Sequence, residues 1–155
     1  MPKAAIAITR VSALADVAVQ GRFGADKGAP GVTLSVRHPM SIVTVIARKD
    51  KAEALGKAIA AAYELPLPGI GESTARNGLA LHWCGADQYF AIADSRAEGE
   101  LYRELRGRLD GLASCSDQSH GRVIMRVSGP KARAISPRAR RSTCILPSSG
   151  RASRP

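Results

Sequence analysis

A chain of 155 residues has the usual size of one domain, and a composition of 45% hydrophobic and 23% charged residues is globular, which speaks against a disordered or membrane-spanning chain. Its 23 Lys and Arg against 13 Asp and Glu give a formal charge of +10, a balance that invites nucleic acid as a partner. The distribution argues otherwise. Residues 136–155 hold Arg138, Arg140, Arg141, Arg151 and Arg154 and no acid, so residues 1–135 carry 18 basic against 13 acidic side chains, or +5.

Near the N-terminus the longest apolar stretch, Ala4 to Ile8, is too short for a signal-peptide core, and Arg10 and Asp16 interrupt the residues after it. No window approaches the roughly 20 apolar residues that a helix needs to cross a bilayer. The expected location is the cytoplasm, with no membrane contact. Cys84, Cys115 and Cys144 are odd in number and lack CxxC spacing, which fits free thiols in a reducing compartment.

In chain order, residues 1–30 show small residues and glycines without a sustained period and read as an arm with one short strand at most. From Gly31, Val32, Leu34 and Val36 alternate with Thr33, Ser35 and Arg37, as in a half-buried strand. After His38 and Pro39, Ile42, Val43, Val45 and Ile46 form a denser β-branched run suited to burial on both faces. These two runs are taken together as a first strand region. Asp50 is placed to cap a helix over Lys51–Tyr63 with an apolar stripe of Ala52, Leu55, Ile59 and Ala62, terminated by Pro66 and Pro68.

Leu79, Leu81 and Trp83, then Tyr89 to Ala93 after Gly85, Ala86 and Asp87, read as a hairpin. Ser95 and Glu98 have capping-box spacing before a second helix whose buried face is Leu101, Leu105 and Leu109, with Gly111 as its stop. Val123, Met125 and Val127 mark a last strand, and Gly129 with Pro130 opens a third helix over Ala132 to Ile135. The order strand, helix, strand, strand, helix, strand is a split βαβ arrangement. The expected fold class is therefore α+β, a sandwich with two helices covering one face of a mainly antiparallel sheet.

Residues with chemical potential are few. His82 and Cys84, with Cys115 and His120, lack the paired short spacing of dependable zinc sites, so no metal site is assigned. Trp83 shares a face with Leu79 and Leu81, which favours the core or a subunit contact over stacking on a base. Asp117, Ser119 and His120 contain the residue types of a catalytic triad, yet neighbours in one extended segment point to opposite faces. A turn or a polar lead-in to the Val123 strand is the better reading. The glycines from Gly69 to Gly71 and Gly78 lack a phosphate-loop lysine and read as loop glycines. No catalytic, cofactor-binding or metal residue is assigned to this chain.

The string ALHWCGADQYFAIAD (Ala80 to Asp94), followed by SCSDQSHGRVIMRVSGPKARAI (Ser114 to Ile135), resembles the gamma subunit of heterotetrameric sarcosine oxidase. The segments GVTLSVRHPMSIVTVIARKDKAEAL (Gly31 to Leu55) and YELPLP (Tyr63 to Pro68) agree with it, so the likeness covers residues 31–135. Within it, DQSHGRVIMRVSGP is similar to the D-x-S, strand, S-G-P segment of the folate-binding aminomethyltransferase superfamily, which implies half of that fold. The resemblance implies a non-catalytic subunit partnered by alpha, beta and delta subunits. In such a complex sarcosine is oxidatively demethylated to glycine, tetrahydrofolate takes the one-carbon unit, and oxygen becomes hydrogen peroxide. FAD, FMN and NAD belong to the alpha and beta subunits of that family, so none is assigned here. Two other functions stand as alternatives: a nucleic-acid-binding protein using the basic tail, and a stand-alone folate-dependent aminomethyl transferase.

After Ile135 the likeness stops, and SPRARRSTCILPSSGRASRP (Ser136 to Pro155) is rich in Arg, Ser and Pro without an apolar period, the composition of a disordered basic tail. A set of synonymous codons for this segment, read from the third base of the Ile135 codon, encodes LAKGAPIDLHPAVFRPGEPA, which resembles the family's continuation. A frameshift at or just after Ile135, leaving a truncated subunit with an unpaired sheet edge, is therefore expected. Sequencing the gene across this codon should show that second frame encoding the continuation; a third-base frame that encodes something else contradicts the shift.

Overall fold

The computed structural model describes residues 11–24, 27–94, 96–132 and 134. The expected tail 136–155, the frame change at Ile135 and the Ser95 half of the capping box lie outside the described residues. Of the arm, residues 11–24 and 27–30 hold turns and no strand.

The first strand region divides in two. Strand β1 (Thr33–Arg37) and strand β2 (Met40–Ala47) are separated by His38 and Pro39 and join different sheets. Helix α1 (Ala52–Tyr63) follows, then β3 (Ser73–Arg76), β4 (Leu79–Gly85), β5 (Gln88–Asp94), helix α2 (Glu100–Arg108), β6 (Ala113–Asp117) and β7 (Ile124–Ser128). A five-stranded antiparallel sheet runs in the order β3-β4-β5-β2-β6, while β1 and β7 pair alone as a two-stranded ribbon. Helix α1 carries the chain from β2 past β5 and β4 to the edge strand β3, and α2 carries it from β5 past β2 to β6. The fold is α+β and the split βαβ order holds.

The strand that closes it is not the expected one. The Val123–Val127 alternation forms β7 of the ribbon, and the sheet is closed by β6, with Val45 opposite Cys115 and Ala47 opposite Ala113. The sequence ASCSD conceals this strand because its inward residues are small and its outward ones are serines, leaving little hydrophobic alternation. Strand β3, STAR, is hidden for the same reason. Its signal lies in the turn: Asn77 and Gly78 both have positive φ, 49° and 77°, which is the two-residue loop that matches the twist of a hairpin.

Helix α1 follows its apolar stripe and buries Leu55 and Ile59. Asp50 does not cap it. Its φ of +59° is left-handed, whereas a capping residue needs extended backbone, and Lys51 takes the flanking position without a side-chain cap. Glu64, also left-handed, ends the helix by donating its backbone N–H to the Ala60 carbonyl. Helix α2 starts later than the expected box, with Gly99 as its flanking residue. The Glu100 carboxylate accepts the Ala97 N–H at 2.9 Å, a reciprocal contact of the capping kind three residues before it. Only the start of the third helix is described: Ala132 and Ala134 donate to the Gly129 and Lys131 carbonyls.

Period-two alternation assigns Val43, Val45, Leu79, Leu81, Tyr89, Ala91, Ala93 and Ala113 to the helical face of the sheet. There they meet Leu55, Ile59, Leu101, Leu105 and Leu109 in one buried cluster. The opposite face of the sheet is left to the ribbon and the β6–β7 loop.

Candidate functional site

Of the side chains singled out in the sequence, that second face carries His82. Ile42, Thr44 and His82 are buried on it, Phe90 and Ile92 half-buried. Between the ribbon and the β3–β4 hairpin lies an open cleft of about 420 Å³, lined by Arg37, Met40, Arg76, His82, Ile92 and Ile124 among others. Arg37 crosses from β1 to form an ion pair with Asp94 of β5 at 2.8 Å, and Arg76 pairs with Glu64, so both guanidiniums of the cleft already have carboxylate partners. Arg122 stacks 4.7 Å from the ring centre of Phe90 and covers that part of the sheet.

His82 is 7% exposed, and its Nδ1 has no hydrogen-bond partner. Burial lowers its pKa below the ordinary 6.5, because a charged imidazolium loses its hydration there. Trp83, on the other face, packs against the helical core as its alternation with Leu81 requires. Cys115 also packs there, and burial raises its thiol pKa, which keeps it protonated and a poor nucleophile. Cys84 and Cys115 stand outside any disulfide; Cys144 lies outside the described residues. Among the described residues no three His, Cys, Asp or Glu side chains gather as a metal ion would need.

The Asp117, Ser119 and His120 segment is a turn, and its three side chains serve two separate connections. Asp117 Oδ1 accepts the Ser119 backbone N–H at 2.9 Å and its hydroxyl at 2.5 Å. Ser119 Oγ in turn accepts the backbone N–H of Ile42 at 3.0 Å, while the Gln118 N–H donates to the Ile42 carbonyl at 2.8 Å. Both backbone polar groups of Ile42 are thereby satisfied by the β6–β7 loop. His120 is committed elsewhere, to Glu98 before α2. A relay would need His120 against Ser119, so this arrangement clamps β2 and does not activate a nucleophile.

No family model and no curated protein matches the sequence. Solved structures share its architecture, among them two enzymes. One is a heterotetrameric sarcosine oxidase from Corynebacterium sp. U-96, with a TM-score of 0.60 and 24% identity over 74% of this chain. The other is the glycine cleavage system aminomethyltransferase T from Bartonella henselae, with a TM-score of 0.52 and 21% identity over 76% of this chain. The likeness is one of fold. This chain spans 60% of the matched sarcosine oxidase chain and 33% of the aminomethyltransferase. No helix among the described residues is long and apolar enough to cross a membrane.

Two outcomes are expected of this geometry. Replacing Ser119 with Ala leaves the Ile42 N–H without its acceptor, and urea denaturation should show a loss of about 1–2 kcal/mol; unchanged stability would mean the clamp is idle. For His82, the folded pKa lies below the unfolded one, so its contribution to stability is complete above the ordinary 6.5 and is lost as pH falls through the lower folded value. The His82→Leu variant should therefore lose less melting temperature than the parent on acidification from about pH 7 to about pH 5. Parallel profiles would rule out this assignment.

Proposed function

We propose that this chain is the gamma subunit of a heterotetrameric sarcosine oxidase, a non-catalytic assembly subunit of a cytoplasmic complex with alpha, beta and delta partners. The observation that carries the reading is a coincidence of segments. Residues 31–135, which resemble that family in sequence, hold every described strand and helix, and a sarcosine oxidase chain shares the fold over 74% of this chain. The D-x-S segment adds support from its geometry: Asp117 and Ser119 are spent on holding β2, which is a structural use of the motif.

On this reading the oxidation of sarcosine, the transfer of its one-carbon unit to tetrahydrofolate and the formation of hydrogen peroxide take place on the other subunits. FAD, FMN and NAD are held there as well. The cleft on this chain is a poor fit for folate, because the cations that would bind the glutamate tail are already paired with Asp94 and Glu64. A stand-alone aminomethyl transferase is therefore the weaker reading. Residues 136–155 are a product of the shifted frame, so the basic tail is no nucleic-acid element.

Co-expression with the alpha and beta subunits of a heterotetrameric sarcosine oxidase tests the assignment. Stoichiometric co-purification is expected, with oxidase activity unchanged by Ser119→Ala beyond any loss of folded protein. A chain that stays separate from the alpha and beta subunits would overturn it.

A further inference from the structure

The cleft on the second face of the sheet is built around small side chains. Its floor is one cross-strand row, in which Ala75 of β3 stands opposite Ala80 of β4 and Ala80 opposite Ile92 of β5. The next row on the same face holds His82 opposite Phe90, with Arg122 over the phenylalanine ring. Two adjacent alanines beside those larger side chains leave a flat hollow. Arg37 and Ile124, opposite each other in the ribbon, and Met40 at the start of β2 also line it. Its volume of about 420 Å³ falls within the range of small-molecule sites.

His82 gives the hollow one polar contact. Its ring lines the cleft while the residue is only 7% exposed, and Nδ1 is sealed without a hydrogen-bond partner. Burial keeps this imidazole neutral, so one ring nitrogen carries a proton and the other accepts. An orphaned acceptor is easier to bury than an orphaned N–H, which puts the proton on Nε2 and leaves that nitrogen as a donor for a ligand. The charged groups of the lining are already matched, Arg37 with Asp94 at 2.8 Å and Arg76 with Glu64. A charged ligand therefore finds no free counter-ion among them.

We infer that this cleft binds a flat, uncharged, ring-sized molecule through a carbonyl oxygen or ring nitrogen that accepts the His82 Nε2–H. The alanine floor matches the face of a ring, and the imidazole supplies the single directed contact that fixes its orientation. Such a site works whether or not the chain assembles with other subunits.

Three probes are titrated into the full-length chain and followed by NMR: benzamide, benzene, which has no acceptor, and benzoate, which carries a charge. Benzamide should shift the backbone amides of Ala75, Ala80 and Ile92 and saturate with a Kd of about 1 mM, ordinary for so small a ligand. Benzene and benzoate should each bind about tenfold more weakly. His82→Phe keeps a ring in place and removes the donor, so it should abolish the preference for benzamide over benzene. Ala80→Leu fills the floor and should weaken benzamide by about tenfold or more; if that variant unfolds, the probe comparison on the parent and on His82→Phe still decides. No saturable shift at these amides up to about 10 mM benzamide would overturn the inference. So would benzene binding as tightly as benzamide, benzoate binding more tightly, or a His82→Phe variant that keeps the parent's preference.

Discussion

Strand β2 lies between β5 and β6 with Ser41 to Val45 all buried, and the other elements are arranged by what they contribute to keeping that strand dry. Val43 and Val45 enter the core beneath the two helices, where Leu55, Ile59, Leu101, Leu105 and Leu109 complete it. Ile42 and Thr44 point the other way, to the face opposite α1 and α2. A strand buried on both sides needs both covers. The second cover here is improvised from the Asp117–Ser119 turn, Arg122 on Phe90 and the ribbon, with Arg37 tying the ribbon to Asp94.

The asymmetry between the faces explains which parts of the fold were legible in the sequence. The helices and the β4–β5 hairpin could be read because their buried residues are large and regularly spaced. Strands β3 and β6 could not, since Ser73–Arg76 and Ala113–Asp117 are edge strands of small and polar residues. Asn77–Gly78 was the one local signal for β3, and it passes for an ordinary loop unless both positive φ values are anticipated. For β6 no local signal exists; its place is set by pairing with β2, far away in sequence, and only when the sheet assembles.

The same holds for the polar cluster. Its residue types were visible, and so was the impossibility of a relay among neighbours on one segment. Hidden from local spacing were the partners: Ser119 finds the backbone of Ile42, and His120 finds Glu98. Spacing gave His82 no metal partner, and only the ribbon and hairpin around it make it a buried imidazole with an unpartnered nitrogen. The shared fold with a sarcosine oxidase chain and an aminomethyltransferase reaches this protein at 24% and 21% identity. In this chain the polar residues Asp117 and Ser119 serve to clamp β2.

Hydrogen exchange measured on the full chain bears most directly on the idea of a chain built around β2. The amides of Ser41 to Val45 should be strongly protected, because they sit at the centre of the sheet. Those of β1 and β7 should exchange faster, because a two-stranded ribbon is marginal on its own. A ribbon as protected as β2, or a β2 that exchanges as fast as the ribbon, would contradict the account.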